Sequence, residues 1–164
     1  MFIGIVTLSA AQAPEWKAYT YASEGFSISL PSAPQQNKDN VVTDAGTIET
    51  RSYLVELARA ALFVGVSDFD KRAAQSDPDK LLQGARDGAL QNSKSHLVSE
   101  KKLMLGIYPG IEFEGASDEA HFTARVYLVG TRMYQTLVVA PIGQTYDGAS
   151  RFLDSFQLIP RTDS

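Results

Sequence analysis

The sequence predicts an α+β fold on a mainly antiparallel sheet. Strand-like segments follow one another directly, with tight turns between them. Helical periodicity is convincing in two places only, too few for the strand–helix alternation of a doubly wound parallel sheet. Those helices must then cover the faces of the sheet. A chain of 164 residues suits a single domain, and 44% hydrophobic with 21% charged residues is ordinary for a globular protein with a proper core.

From the N-terminus, Met1–Ala13 carries no charge, opens on the apolar run Phe2–Leu8 and closes on small residues. That is the layout of the hydrophobic and cleavage regions of a signal peptide, and it is too short to span a bilayer. Cleavage after Ala11 leaves Ser9 and Ala11 at the small-residue positions, whereas cleavage after Ala13 would set Pro14 beside the scissile bond. No Lys or Arg precedes Lys17, a gap that a start placed too far downstream would explain; the alternative is an apolar first strand. Trp16–Tyr21 and Phe26–Leu30 read as a strand pair around Ser23, Glu24 and Gly25, with glycine where positive φ is needed. Pro31 and Pro34 end the second strand, and the polar stretch Gln35–Asn40 reads as a surface loop. Thr47–Leu57 alternates Tyr53, Val55 and Leu57 with Ser52 and Glu56, a half-buried strand, and the apolar Ala61–Val66 reads as its central neighbour.

Asp77 and Pro78 signal a helix start, Asp capping open N–H groups and Pro at the first helical position. Leu81, Leu82, Ala85, Ala89 and Leu90 give one apolar face to about Asn92. His96–Leu105, Tyr108–Glu114, Phe122–Val129 and Arg132–Ala140 are four strands in succession, with Gly130 at the first central position of a II′ turn. Tyr146, Ala149, Phe152 and Leu153 then fall at helical spacing within Tyr146–Ser155.

Tyr21–Pro31 (YASEGFSISLP), the helix entered at Asp77, Pro78 and Asp79, Arg125–Tyr134 (RVYLVGTRMY) and Arg151–Phe156 (RFLDSF) together resemble the PsbP-like family in order and spacing. The resemblance spans nearly the whole chain after the leader. It implies a three-layer α/β/α sandwich around one antiparallel sheet; with the leader read above, the chain divides into residues 1–13 as signal peptide or its remnant, 14–160 as a single PsbP-like domain and 161–164 as a tail. The best-known members of that family are extrinsic lumenal subunits of photosystem II, and many bacterial relatives are exported. Nothing here matches a chloroplast transit peptide. No metal or partner-contact residue carries over.

Chemistry is sparse. The net charge is −4 with scattered basic residues, which argues against nucleic acid and anionic membrane surfaces as partners. The absence of cysteine removes disulfides, thiolate metal sites, thiol nucleophiles and a lipidated cysteine anchor. Asp118, Glu119, Ala120 and His121 spell D-E-A-H, and Gly143–Ser150 has phosphate-loop glycine spacing, but Ala149 stands where the loop needs lysine; both are chance matches. Glu112, Glu114, Asp118, Glu119 and His121 could offer oxygen ligands and one imidazole to a divalent cation, or form an ordinary solvated acidic hairpin. Asp68 and Asp70 share a strand face and could be a carboxylate pair, although the end of a strand entering a solvated loop reads more simply. His96 and His121 lack a recognisable nucleophile partner, and Gly65–Asp68 lacks a nucleophile elbow. Tyr53, Phe63, Tyr127 and Tyr134 could line a lipid or small-molecule cleft or pack the sheet.

The resulting expectation is an exported, periplasmic or extracellular, non-catalytic domain that binds a protein partner or envelope component. It has no stable membrane insertion after cleavage, and no catalytic, cofactor-binding or metal-binding residue is assigned. The alternatives are a small-ligand or divalent-metal carrier and an enzyme with an unrecognised site. A cavity of convergent ionisable groups would favour an enzyme; a broad apolar patch would favour protein binding.

Overall fold

The computed structural model describes residues 13–43, 46–72 and 75–162, so the leader expected at 1–13 lies almost wholly outside the described residues. The strands are β1 (Lys17–Tyr21), β2 (Phe26–Leu30), β3 (Gln35–Thr43), β4 (Gly46–Leu57) and β5 (Ala60–Asp68), then β6 (His96–Leu105), β7 (Tyr108–Ala116), β8 (Ala120–Val129), β9 (Arg132–Pro141) and β10 (Gln157–Leu158). The helices are α1 (Pro78–Asn92) and α2 (Ala149–Asp154). The described strands form two sheets where the resemblance implied one: seven strands in the order β3-β4-β5-β9-β8-β7-β6, and a three-stranded sheet β1-β2-β10. Every pairing is antiparallel.

The faces of the large sheet are covered differently. On one, Phe26, Ile28 and Leu30 of β2 pack with Phe152, Leu153 and Phe156 against Tyr53, Val64, Val66 and Tyr134. On the other, Leu82 of α1 packs against Ile111, Phe113, Phe122 and Val126. β8 lies under both layers, so Val126 and Leu128 are buried on the helix side and Tyr127 on the opposite side. Coverage of both faces turns alternation into a continuous apolar run.

The helix start forms as the sequence predicts: Asp77 is the N-cap, its carboxylate accepts from the Asp79 N–H at 2.9 Å, and Pro78 begins the helix. Two further expectations need correction. Residues 35–40 are not a loop but most of β3, an edge strand whose described side chains are exposed, so no burial pattern marks it. The second helix is shorter than Tyr146–Ser155; its core contacts come from Phe152 and Leu153. Beyond Phe156, the two residues of β10 pair with Ser27 and Phe26, a strand too short to read from sequence.

The turn after β8 has Gly130 at φ +62° while Thr131 is not in the left-handed region, as a II′ loop requires. A Cβ at Gly130 meets no atom within 4 Å, so only backbone strain opposes a side chain there. Gly130→Val is expected to cost about 1 kcal/mol or more. Equilibrium denaturation checks this, and an unchanged midpoint would speak against the turn.

Candidate functional site

Strand alternation and one tight turn bring four charged residues together on the β2 side of the large sheet. Arg51 lies mid-way along β4, two residues from Tyr53, and so shares its inward face. Asp68 ends β5, with Glu49 opposite on β4 and Arg132 opposite on β9. Glu24 reaches over from the β1–β2 turn, held by Glu24 and Gly25 N–H bonds to the Tyr21 carbonyl at 3.0 and 2.8 Å. Gly25 sits at φ +79°, which closes the turn without steric strain.

The result is a closed ring of alternating charge. Arg51 donates to both Glu24 oxygens at 2.8 Å and to Asp68 Oδ2 at 2.7 Å. Arg132 grips Asp68 bidentately at 2.6 and 2.8 Å and donates to the Glu24 carbonyl at 2.9 Å, which also accepts from the Tyr134 hydroxyl at 2.6 Å. The arginine side chains are only 12% and 9% exposed and Glu24 14%, so these charge-assisted bonds form away from bulk water. Burial alone would raise the Asp68 carboxyl, but the hydrogen bonds from Arg132 and Arg51 outweigh it and hold its pKa below the ordinary value. For Arg51, burial favours the neutral form, yet the bonds to Glu24 and Asp68 dominate and raise its pKa.

The ring floors a cleft of about 570 Å³ walled by Tyr21, Tyr53, Gln36, Lys38 and Glu49. Lys38 and Glu49 pair at 3.0 Å, and Glu49 also accepts from Arg51 at 3.2 Å. Burial pushes the Tyr53 phenol up to about 12 and also raises Tyr21, so both remain neutral near pH 7. Every charged side chain in the cleft is thus matched by an opposite charge, and no histidine or cysteine lines it. The arrangement offers fixed hydrogen-bonding dipoles, and the cations beside Asp68 and Glu49 hold both carboxyls below their ordinary pKa.

Tyr53 and Tyr134, read as possible cleft aromatics, and Asp68 connect this site to the sequence reading, in which Asp68 stood paired with Asp70 at the mouth of a loop. The structure instead ties it to two arginines. Glu24, Arg51 and Arg132 were missed. Their signal lay in phase: Arg51 aligns with Tyr53 and Val55, Asp68 with Val64 and Val66, and Arg132 with Tyr134, each a charge on an apolar strand face.

The other candidates are dispersed. Glu112 lies between Lys101 at 2.8 Å and Arg125 at 2.6 Å, and Arg125 continues to Asp154 of α2 at 2.7 Å. Burial would raise the Glu112 carboxyl, but these bonds lower it. His121 Nε2 lies 2.6 Å from the Gln144 carbonyl oxygen, so that nitrogen carries the proton. Among the described residues, no group of three or more acidic, histidine or cysteine side chains is placed to hold a metal ion. The D-E-A-H stretch enters a hairpin turn in which Ser117 Oγ accepts from the Glu119 and Ala120 N–H groups. His96 is an exposed strand end. Tyr53, Tyr127 and Tyr134 pack one core layer, whereas Phe63 points to the opposite face.

No protein-family model matches the sequence, and no curated protein does. Among solved structures, the solution structure of cyanobacterial PsbP (CyanoP) from Synechocystis sp. PCC 6803 superposes with a TM-score of 0.61, covering 96% of this chain and 98% of that one at 11% identity. The chain has a PsbP-like fold. A crystal structure from Bacteroides thetaiotaomicron VPI-5482 aligns at a TM-score of 0.44 and 12% identity, over 87% of this chain and 48% of its own. The PsbP-like core accounts for the antiparallel sheet and its two helices; the charges of the Arg51 cleft are read from this chain alone. No helix among the described residues is long and apolar enough to cross a membrane.

Proposed function

We propose that this PsbP-like chain is an exported, non-catalytic accessory domain that binds a protein partner through the Arg51 cleft and the adjoining edge of β3. The observation that carries the reading is the mutual neutralisation inside the cleft. Ionisable groups converge there, as they would in an enzyme, but each carboxylate is held by guanidinium or ammonium groups and none can serve as a base without breaking the ring. Beside the cleft, β3 offers nine residues of edge strand, with Gln36 and Lys38 on the cleft wall. β6, the strand at the other end of the sheet, carries a register irregularity between Leu97 and Ser99 in its pairing with β7, a device that twists an edge and discourages pairing; β3 pairs with β4 in unbroken register. An extended segment of a partner can add to such an edge through main-chain bonds and lay side chains toward the cleft. β3 ends the seven-stranded sheet, and its side chains from Gln35 to Val42 are exposed.

The purified protein is expected to show no turnover on general esterase, peptidase, phosphatase and glycosidase substrates. In the native envelope, a photo-crosslinker at Asn40 on β3 should capture one specific protein, whereas one at the exposed Arg59, in the β4–β5 turn at the opposite end of β4, should not. Reproducible turnover abolished by Asp68→Asn in a folded protein would overturn the non-catalytic reading.

A further inference from the structure

A second recess lies on the opposite face of the large sheet, along one flank of α1. Its two lobes, about 480 and 320 Å³, share Gly84 and Ala85 and so form one continuous groove. On the helix side the wall runs through Leu81, Gly84, Ala85, Gly88 and Ala89. On the sheet side Met133, Gln135 and Leu137 of β9 alternate toward it, with Phe63 and Phe69 beside them. Leu82, one position away on α1, is fully buried in the core, while Leu81, Ala85 and Ala89 are half-buried against it, so the groove runs along the margin of the helix–sheet contact.

The two ends differ. At one end stands Lys80, which makes no ion pair among the described residues; its neighbour Asp79 is bound by Lys102 at 2.8 Å. At the other end are Asn92 and Ser93, uncharged and polar. The groove is therefore an apolar track with a cation at one mouth. Gly84 and Gly88 widen it, and packing does not require them, since a Cβ at either meets no atom within 4 Å. Glycine in a helix interior is unfavourable relative to alanine, so the open space is kept against helix propensity.

We propose that this groove binds a long-chain fatty acid, its acyl chain along α1 and its carboxylate at Lys80. From Lys80 to Asn92 the helix advances about 18 Å, the span of a long acyl chain. A docked partner helix, about 10 Å across, would insert one face at most, whereas a single hydrocarbon chain can lie along the whole track. Charge complementarity sets the head-group class, because among the described residues the mouth cation makes no ion pair and no carboxylate lines the walls. This site is separate from the Arg51 cleft and does not depend on partner binding there.

Titration of the full chain with cis-parinaric acid, an intrinsically fluorescent fatty acid, tests the proposal. The expected result is saturable enhancement below the micellar concentration of the probe, weakened at least about tenfold by Gly84→Leu, which fills the point where the lobes meet. Because leucine favours helix more than glycine does, the melting midpoint of that variant should equal or exceed wild type, which separates filling from unfolding. Gly88→Leu gives a second variant with the same expectation. Lys80→Glu should weaken the acid about fivefold and leave the parinaric methyl ester unchanged. Absence of saturable binding, binding indifferent to both leucine variants, or a Lys80→Glu effect equal for acid and ester would overturn the assignment. So would a groove that captures a protein but no fatty acid. Failure here leaves the Asn40 crosslink unaffected.

Discussion

Replacing Phe26 with alanine is expected to destabilise the protein by about 4 kcal/mol, the largest single effect of any core truncation considered. Phe26 is fully buried on β2 at the junction of the two sheets. Its ring centroid lies 5.1 Å from that of Tyr21, 5.5 Å from Tyr53, 6.0 Å from Tyr134 and 5.6 Å from Phe156. Truncation removes the transfer energy of the ring and leaves a cavity bounded by four other aromatics from three strands and the segment after α2. Such rings cannot collapse inward without leaving their rotamers. Phe26→Leu should lose only about 1–1.5 kcal/mol, because much of the volume remains. Urea denaturation of both variants measures the difference. A loss under about 1 kcal/mol for alanine would mean that the small sheet does not pack on the large one through this residue.

The second large effect is expected at Arg132. Arg132→Met should cost about 3 kcal/mol, because it strips Asp68 of a bidentate partner and removes a donor to the Glu24 carbonyl. Asp68 is 37% exposed, so solvent screens part of the loss and keeps the figure at the lower end of the buried range. The pH dependence identifies the cause. Asp68 has a lowered folded-state pKa, so its contribution is present in full above the ordinary aspartate value of about 3.9 and disappears as pH falls through the lowered one. The gap between wild type and Arg132→Met should therefore be constant near neutrality and narrow in acid. A gap independent of pH down to acid unfolding would point to lost packing alone.

Much of the fold was legible because local rules and tertiary demands agree in it. Asp77 and Pro78 start α1 because capping is a local matter, and Gly130 marks its turn because only one kind of residue accepts that backbone cheaply. β3 escaped because Gln35–Asn40 is polar on both sides: an edge strand outside every covering layer has no burial requirement to write into its sequence. The short α2 and two-residue β10 take their places from the tertiary contacts of Phe152, Leu153 and Phe156. The cleft was the least legible part. Glu24, Arg51, Asp68 and Arg132 are scattered along the chain, and no spacing rule connects them. The trace they leave is a charge on an apolar strand face, which becomes informative once the register is known.

The large sheet also carries a consequence for how the chain folds. Its seven strands are two runs of consecutive hairpins, β3-β4-β5 and β6-β7-β8-β9, joined along the single seam where β5 meets β9 and Val66 faces Tyr134. Hairpins close small loops within microseconds, whereas the seam must bring together segments separated by all of α1 and three strands. Each run is therefore expected to form first as a separate meander, with the seam and the pairing of β10 to Ser27 fixing the topology last. Pulse-labelled hydrogen exchange should protect the β8–β9 amides before those of β5 that face β9; the reverse order would place nucleation at the seam.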